Sequence, residues 1–306
     1  MIQTVLLTGG TGLVGKAFTQ LLTSKGYQVI ILSRGKKEIV TEPNVTYAQW
    51  NVATEEIDIE AVKKADYIIH LAGAGVMDKK WTEQYKKEIV DSRVKSGALI
   101  VNTLKNNEHN VKAIVSASAI GYYGEDKIDN YFFTETDKPA EGFLGSTCQL
   151  WEDSIDYANS LGIRVAKVRI GIVFSNNGGA LAEFVKPLKF KLATILGKGS
   201  QVISWIHIDD LCRQFLFAIE NEDIKGAYNA VAPNPVTNKN LMLKLARKIA
   251  GKFYFPFYIP SFFLKLMMGD RSIEILKSTT VSCKKITDAG FNFLYNEVDE
   301  ALEDLV

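Results

Sequence analysis

A glycine-rich turn close to the N-terminus most constrains the fold of this chain. Thr4 to Leu7 is a short run of β-branched and aliphatic residues, which is typical of a buried parallel strand. Gly9, Gly12 and Gly15 follow at intervals of three residues, and apolar residues then recur at helical spacing. The sequence therefore predicts a strand, a tight turn and a helix in immediate succession.

Each glycine of this turn has a distinct task in a dinucleotide-binding site. The first allows a tight reversal, the second allows a pyrophosphate to approach the backbone, and the third lets the helix pack on the strand. The unpaired N–H groups at the helix start and the helix dipole both favour phosphate. The candidate cofactor contacts in this turn are Gly9, Thr11, Gly12, Leu13, Val14 and Gly15.

The end of the second predicted strand, Tyr27 to Leu32, indicates which dinucleotide is bound. NAD sites usually place an acidic residue there, which accepts hydrogen bonds from the ribose 2′-hydroxyl, whereas a 2′-phosphate requires a hydroxyl donor and a guanidinium. This chain has Ser33 and Arg34 at that point. The sequence favours NADP(H) over NAD(H), with a solvated basic loop as the alternative.

A further predicted strand, Ala65 to Leu71, runs into a series of small residues. Small residues at the carboxyl end of a parallel strand let the backbone lie close to a flat ligand. Leu71, Ala72 and Gly73 are therefore candidate cofactor contacts. His70 lies within this buried strand, where a hydrogen-bonded core imidazole is favoured over a catalytic one.

Composition excludes several classes of partner and site. The 306 residues include 36 basic and 35 acidic residues, so nucleic acid or an anionic membrane is not expected as the main partner. Cys148, Cys212 and Cys283 lie far apart and lack metal-ligand spacing, so we expect no metal and a reducing compartment. The sequence shows neither a signal peptide nor an apolar run of ~20 residues, so we expect a cytoplasmic protein with a small-molecule substrate.

Hydroxyl groups follow the fifth predicted strand, Lys112 to Val115. Groups placed just past the end of a central strand stand over the nicotinamide position. We hypothesise that Ser118 polarises a substrate oxygen and that Tyr122 supplies or removes the proton. Tyr122 and Tyr123 could equally be packed aromatic residues.

Three later residues are candidates for contact with substrate. Arg169 follows the sixth predicted strand, where it could bind a substrate phosphate or form a structural ion pair. Gln201 is a polar candidate, and Trp205 could stack on a planar ligand or be a buried tryptophan.

The segment from residue 204 to 260 suggests structural roles for its remaining polar and aromatic residues. We expect Asp209 or Asp210 to cap a helix that starts near residue 211, and His207 to orient a loop. Residues 253–260 are predicted to form an aromatic, proline-containing loop whose side chains seal a C-terminal lobe, with closure over a bound ligand as the alternative.

Four motifs together resemble the extended short-chain dehydrogenase/reductase superfamily. They are T-G-x-x-G-x-x-G at 8–15, H-L-A-G at 70–73, S-A-S-A-x-G-Y-Y-G at 116–124 and S-W-I-H-x-D-D at 204–210. G-x-G-x-Q at 197–201 and G-F-x-F at 290–293 narrow the resemblance to an atypical branch of sugar-nucleotide epimerases with a small C-terminal cap. The resemblance runs from Ile2 to about Leu302.

The resemblance implies a Rossmann core with NADP and a nucleotide-linked sugar as substrate. It also implies cofactor contacts on a long helix predicted from Trp81 to Leu104. The contacts that it implies are Ser33, Arg34, Leu71, Ala72, Glu88 and Arg93.

The chain departs from this superfamily at the usual catalytic pair. Ordinary members have Tyr and Lys at i and i+4 of a helix, where the ammonium lowers the pKa of the phenol. Leu144 and Cys148 stand at those positions. Tyr123 and Lys127 match the spacing, but Gly124 between them indicates a loop.

We therefore predict an α/β fold with a doubly wound parallel sheet and a smaller C-terminal substrate lobe. Residues 1–174 plus 201–232 would form the Rossmann domain, and residues 175–200 plus 233–306 the lobe. The first functional hypothesis is an NADP(H)-dependent oxidoreductase or epimerase acting at a hydroxyl-bearing carbon. The second is a non-catalytic NADP(H)-binding sensor or assembly factor, and in either case the helices at 81–104 and 146–160 could pair in a homodimer.

Overall fold

A computed structural model describes residues 2–35 and 42–306 of the chain. Its strands are β1 (Thr4–Thr8), β2 (Gln28–Ser33), β3 (Val45–Asn51), β4 (Glu56–Ile57), β5 (Tyr67–His70), β6 (Ala113–Ala119), β7 (Arg164–Ile170), β8 (Ile172–Phe174), β9 (Leu192–Leu196), β10 (Val202–Ile203), β11 (Trp205–His207), β12 (Gly226–Ala230), β13 (Val236–Thr237) and β14 (Phe255–Ile259). Its helices are α1 (Leu13–Ser24), α2 (Ile59–Lys63), α3 (Glu83–Asn106), α4 (Phe143–Asp156), α5 (Gly179–Val185), α6 (Ile208–Glu220), α7 (Asn238–Ala250), α8 (Ser261–Met268), α9 (Ser272–Leu276), α10 (Lys284–Asp288) and α11 (Val298–Leu305).

Eight strands of the described chain form one sheet in the order β12-β7-β6-β5-β1-β2-β3-β4. The seven strands from β12 to β3 pair in parallel, and β4 joins β3 antiparallel. The strand order reverses between β1 and β5, and open sheets of this type bind ligands at such a reversal. The predicted doubly wound Rossmann fold is confirmed.

Helices cover both faces of the sheet because its central strands are apolar on both sides. Val5 and Leu7 belong to the hydrophobic cluster that contains Phe18 of α1 and Phe215 of α6. Leu6, between them, belongs to the opposite cluster, which is built with α3 and α2. A strand buried on both faces reads as a continuous apolar run, and this is why the first strand is evident from the sequence.

The glycine turn has the geometry that the sequence predicts. Gly9 has a φ of +70°, and a Cβ on it would lie 2.8 Å from the carbonyl carbon and oxygen of Leu71. A Cβ on Gly15 would lie 2.3 Å from the Gly9 carbonyl oxygen and 2.6 Å from the Cα of Gly10. A side chain at position 9 would therefore separate β1 from β5, and a side chain at position 15 would separate α1 from the turn.

The C-terminal part of the chain has a hydrophobic cluster of its own. It joins β9, α7 and α11, and it includes Leu241, Met242 and Leu302. The division into two domains stays a prediction. Within the described residues, none of the helices is both long enough and apolar enough to cross a membrane.

The aromatic segment of this lobe differs from the prediction. Residues 255–259 form strand β14, which pairs in parallel with β9, so they are not a loop. Their side chains do not seal the lobe, because Phe255 is 72% exposed and Phe257 is 54% exposed. The spacing of these residues in the sequence could not reveal their exposure, because apolar residues are normally buried.

We expect Gly15→Ala to destabilise the fold far more than Gly12→Ala. The new methyl group at position 15 would collide with the backbone, whereas a Cβ on Gly12 would meet only the Gly9 carbonyl oxygen, at 3.3 Å. Overpacking of this kind lowers the free energy of unfolding by about 1–3 kcal/mol. Urea denaturation of both variants measures this difference, and equal denaturation midpoints would contradict the packing argument.

Candidate functional site

The two central strands are joined at their carboxyl ends by the Thr8 hydroxyl. Its Oγ accepts hydrogen bonds from the backbone N–H groups of Leu71 and Ala72, each at 3.1 Å. The Thr8 Oγ also lies 2.8 Å from Nδ1 of His70. Since the two amides occupy the acceptor capacity of the oxygen, the hydroxyl proton is donated to His70. The turn that follows β5 is thus fixed against the glycine turn.

His70 is a core residue of this arrangement, as the sequence analysis favoured. Its side chain is fully buried, and its Nε2 lies 3.2 Å from the Ser96 hydroxyl of α3. Burial lowers the pKa of His70 to about 4, so the imidazole is neutral at neutral pH. A neutral imidazole with both nitrogens hydrogen-bonded holds the turn in place.

The predicted cofactor contacts on β2 and α3 lie in different settings. Ser33 ends β2 and is partly buried, and Arg34 is exposed beside it.

The predicted contacts on α3 already have partners within the protein. Arg93 donates to the Ala74 carbonyl at 2.9 Å and packs on the ring of Trp151. Glu88 is exposed on α3, where it forms an ion pair with Lys79. Lys36 and Lys37, the other cations of the predicted basic loop, lie outside the described residues.

Ser118 does not have the free hydroxyl that the catalytic hypothesis requires. Its side chain is 2% exposed, and its hydroxyl donates to Oε1 of Glu152 at 2.7 Å. The same carboxylate accepts two hydrogen bonds from the Arg169 guanidinium, at 2.8 and 2.9 Å. The proton of the Ser118 hydroxyl is therefore already used within the protein, and direct contact of Ser118 with substrate stays a prediction.

Arg169 forms the structural ion pair that was one of its two predicted roles. Its side chain is almost fully buried together with Glu152. Burial alone would lower the pKa of Arg169, but the hydrogen bonds and charge of Glu152 outweigh it and raise this pKa overall. Arg169 also donates to the Tyr123 hydroxyl at 2.9 Å. Phosphate binding by this guanidinium would require the ion pair to break.

Tyr122 and Tyr123 have different surroundings. Tyr123 is buried, and its hydroxyl donates to Oδ1 of Asn229 at 2.6 Å. Tyr122 is partly exposed in the 3₁₀ turn after β6, and the Arg169 guanidinium carbon lies 3.5 Å from the centroid of its ring. Burial raises the pKa of the Tyr122 phenol, and the Arg169 charge offsets this only in part. Of the two tyrosines, Tyr122 is the accessible phenol at this strand end.

The helix that follows presents Leu144 and Cys148 toward the same turn. A Cβ built on Gly121 would lie 3.5 Å from the Leu144 Cβ and 3.9 Å from the Cys148 sulfur. Burial raises the pKa of the Cys148 thiol to about 12, so it remains protonated. The face of α4 at this point therefore carries neither a phenol nor an ammonium group. Gly124 has a φ of +77° and lies in a loop, so Tyr123 and Lys127 do not share a helix.

The two other predicted substrate contacts are structural. Trp205 is fully buried and stacks on Phe174, and its Nε1 donates to the Asn234 carbonyl. Gln201 is 6% exposed, and its amide donates to the carbonyls of Leu196 and Ile275. Trp205 is thus the buried tryptophan that was one of its two predicted roles, both side chains tie segments of the lobe together, and substrate contact by either stays a prediction.

The polar cluster at the start of α6 is held by His207, which caps the helix through Nδ1 by accepting from the Asp209 amide. Neither aspartate caps it, because Asp210 instead accepts from the backbone amides of residues 294 and 295. Nε2 of His207 lies 3.3 Å from a carboxylate oxygen of Asp304. Because Nδ1 is an acceptor, the neutral imidazole carries its proton on Nε2, and this atom has no hydrogen-bond partner among the described residues.

The C-terminal lobe contacts the loop after β5 and the start of α3. Arg271, three residues beyond α8, donates from Nη1 to the carbonyl of Met77 at 2.8 Å. Beside it, the Asp270 carboxylate lies 3.8 Å from the Lys86 ammonium. The first contact joins the lobe to the loop after β5, and the second joins it to the first turn of α3.

Sequence reasoning missed the two residues that organise this region, Thr8 and Glu152. Thr8 directly precedes the first glycine of the turn, at the carboxyl end of β1, and this position was the available signal. Glu152 had no local signal, because its partner Arg169 is 17 residues away.

We expect Glu152→Gln to lower the free energy of unfolding by about 3 kcal/mol, because it leaves the Arg169 charge buried without a counter-charge. Ser118→Ala is the matched control, because it removes one hydrogen bond to the same carboxylate and should cost about 1 kcal/mol. Urea denaturation gives both values. Equal losses in the two variants would show that the ion pair contributes no more than the hydroxyl.

Comparison with sequences of known families supports the architecture. A model described as the NAD dependent epimerase/dehydratase family matches residues 5–230, and one described as a domain of unknown function, DUF1731, matches residues 259–305. The epimerase family protein YfhF of Bacillus subtilis is 33% identical over 302 residues, which cover 99% of this chain and 97% of that protein. The epimerase family protein SH2119 of Staphylococcus haemolyticus is 34% identical over 301 residues, covering 98% of each chain.

Comparison with solved structures also supports this architecture. The human epimerase family protein SDR39U1 (isoform 2) with NADPH superposes with a TM-score of 0.84 at 25% identity, covering 99% of each chain. A nucleoside-diphosphate sugar epimerase from Corynebacterium glutamicum superposes with a TM-score of 0.78 at 28% identity, covering 99% of this chain and 57% of that one. The chain thus belongs to the NAD dependent epimerase/dehydratase family.

Proposed function

We propose that this chain binds NADP(H) at the glycine turn and acts on a hydroxyl-bearing or carbonyl carbon of a nucleotide-linked sugar. The nicotinamide would supply or accept a hydride at that carbon. The observation that carries this proposal is the crevice between β1 and β5, where Thr8 fixes the turn at Leu71 and Ala72.

The residues of the glycine turn fit a dinucleotide. Gly12 is the N-cap of α1 and provides no side chain to cap it, so the first amides of the helix are not covered by a capping group. A Cβ on Gly12 would meet only the Gly9 carbonyl oxygen within 4 Å, so the space on its outer side is open. A pyrophosphate would occupy this space, with Thr11, Leu13 and Val14 around it.

The preference for NADP(H) over NAD(H) is supported by two observations. Ser33 and Arg34 stand at the end of β2, where NAD sites usually have an acidic residue. The human relative SDR39U1 was solved with NADPH. We infer that the Ser33 hydroxyl and the Arg34 guanidinium would hold the 2′-phosphate. Glu88 and Arg93 remain predicted cofactor contacts.

Proton transfer is assigned to Tyr122. Its phenol is protonated at neutral pH, and burial raises its pKa further, so it is a donor in the direction of carbonyl reduction. The Arg169 guanidinium stacked on its ring orients it, and the Glu152 carboxylate holds that guanidinium in place. Ser118 acts indirectly, because its hydroxyl donates a hydrogen bond to the Glu152 carboxylate that holds the guanidinium.

A second candidate is a non-catalytic NADP(H)-binding sensor or assembly factor. Leu144 and Cys148 on α4, which face the turn after β6, favour it because they supply no phenol and no cation. The proposed location is the cytoplasm, and pairing of α3 and α4 in a homodimer stays a prediction.

We expect Arg34→Ala to reduce the preference for NADPH over NADH by about 10- to 100-fold, since a charge-assisted hydrogen bond is lost only with the 2′-phosphate. Calorimetric titration of both coenzymes gives the ratio of dissociation constants. Arg247→Ala, which removes an exposed arginine from α7, is the control and should leave this ratio unchanged. An unchanged ratio in Arg34→Ala would refute the assignment.

Catalysis is tested by incubating the protein with NADPH and a set of nucleotide-linked keto sugars while following the absorbance of the reduced nicotinamide. We expect turnover with at least one of them, reduced about a hundredfold or more in Tyr122→Phe. Tyr131→Phe removes the hydroxyl of an exposed tyrosine and should retain full activity. Tight NADPH binding without turnover would favour the sensor instead.

A further inference from the structure

The C-terminal lobe exposes an apolar surface that no part of the described chain covers. Its six most prominent side chains are between 59% and 79% exposed, and we call them the aromatic surface. They are Phe190, Phe253, Phe255, Phe262, Leu266 and Met267. Single exposed apolar residues are common on proteins, but a cluster of this kind marks an interaction site.

The members of the aromatic surface come together through one strand pair and the helix that follows it. The Phe255 amide donates to the Lys191 carbonyl at 2.9 Å, which places Phe190 beside the segment from Phe253 to Phe255. After Ile259, Pro260 leads directly into α8. In that helix, Leu264 is buried, whereas its aromatic and aliphatic neighbours face outward.

Strand β14 is exposed on both of its faces. Successive side chains of a strand point in opposite directions, so a strand packed on one side buries every second residue. In β14, Phe255, Phe257 and Tyr258 are all at least 45% exposed. Neither face of the strand is therefore used in packing within the described chain.

The surroundings of the aromatic surface are strongly basic. Between Asp223 and Asp270 the chain has seven lysine and arginine residues and no acidic residue. The segment from 184 to 208 has four lysines and no acidic residue. Of the lysines in the two segments, Lys186 pairs with Glu183 and Lys244 pairs with Asp299. Lys191, Lys252 and Lys265 are exposed next to the aromatic side chains. The formal charge of +1 for the whole chain conceals this asymmetry.

We propose that the aromatic surface docks this protein on an anionic lipid bilayer, without crossing it. Phenylalanine rings flanked by lysines are the combination that inserts into the boundary of headgroups and acyl chains. Each lysine near an anionic leaflet adds to the attraction. The proposal revises the expectation from net charge that a membrane is not a partner, and it does not depend on the proposed chemistry.

A second copy of the chain fits this surface less well. A two-fold interface places the same patch of both subunits face to face. The lysines beside the aromatic surface would then lie opposite one another, and no acidic residue is available within residues 224–269 to offset them. An anionic bilayer supplies both the apolar interior and the opposite charge.

The test is co-sedimentation of the full-length protein with vesicles of phosphatidylcholine alone or with 30% phosphatidylglycerol. We expect the protein to bind the anionic vesicles about tenfold more tightly than the neutral ones, or better, and to be mostly released in ~0.5 M salt.

Variants of the aromatic surface and of its lysines separate the two contributions. Phe255→Ser with Phe262→Ser should abolish binding, and Lys191→Glu with Lys252→Glu should remove the preference for anionic vesicles. Leu294→Ser and Lys25→Glu alter exposed residues elsewhere and should bind like the wild type.

Two results would overturn the proposal. One is equal or absent binding to the two kinds of vesicle by the wild type. The other is a wild-type dimer, seen by light scattering, that Phe255→Ser with Phe262→Ser converts to a monomer, since a second copy would then cover the surface. The affinity for NADPH is measured on every variant and should stay within about twofold of the wild type. A variant that keeps this affinity is folded, so its loss of vesicle binding is distinguished from a failure of the proposed function.

Discussion

The close approach of β1 and β5 at their carboxyl ends is the constraint on which the rest of this structure depends. No side chain fits at Gly9, where the backbone of Leu71 lies against the turn, and the Thr8 hydroxyl ties the two segments by hydrogen bonds. The same contact orients the start of α1 and leaves the crevice open above it. Because His70 is neutral and hydrogen-bonded at both nitrogens, the strand ends are fixed without a buried charge.

A buried ion pair organises the other half of the site. Glu152 on α4 and Arg169 at the end of β7 neutralise one another, and each satisfies a second group, the Ser118 hydroxyl and the Tyr123 hydroxyl respectively. Such a pair is costly to disrupt, although its net contribution to stability is small when both partners are present. Its effect is to hold the guanidinium against the ring of Tyr122, so the accessible phenol of the site is positioned by residues that ligands do not reach.

The features predicted correctly from the sequence are those with a local signal. The glycine turn and the apolar strands of a parallel sheet follow from spacing and from burial on both faces. Ser118, Gln201 and Trp205 were assigned to substrate because their residue types suit binding, but the structure uses their polar atoms to join distant segments. Such pairings depend on the folded geometry, because the sequence gives the type of a side chain but not the partner of its hydroxyl or amide group. The exposed aromatic strand β14 was hidden for a related reason, since hydrophobicity predicts burial and carries no information on whether a partner element exists.

Two exposed polar contacts join the C-terminal lobe to the segment after β5, one between Arg271 and the Met77 carbonyl and one between Asp270 and Lys86 of α3. A hydrogen bond to a carbonyl contributes only about 0.5–1.5 kcal/mol net, and an ion pair between exposed groups contributes less than about 1 kcal/mol. We therefore expect these two contacts to break at a small cost in free energy, far below the cost of opening the hydrophobic clusters of the sheet or of the lobe.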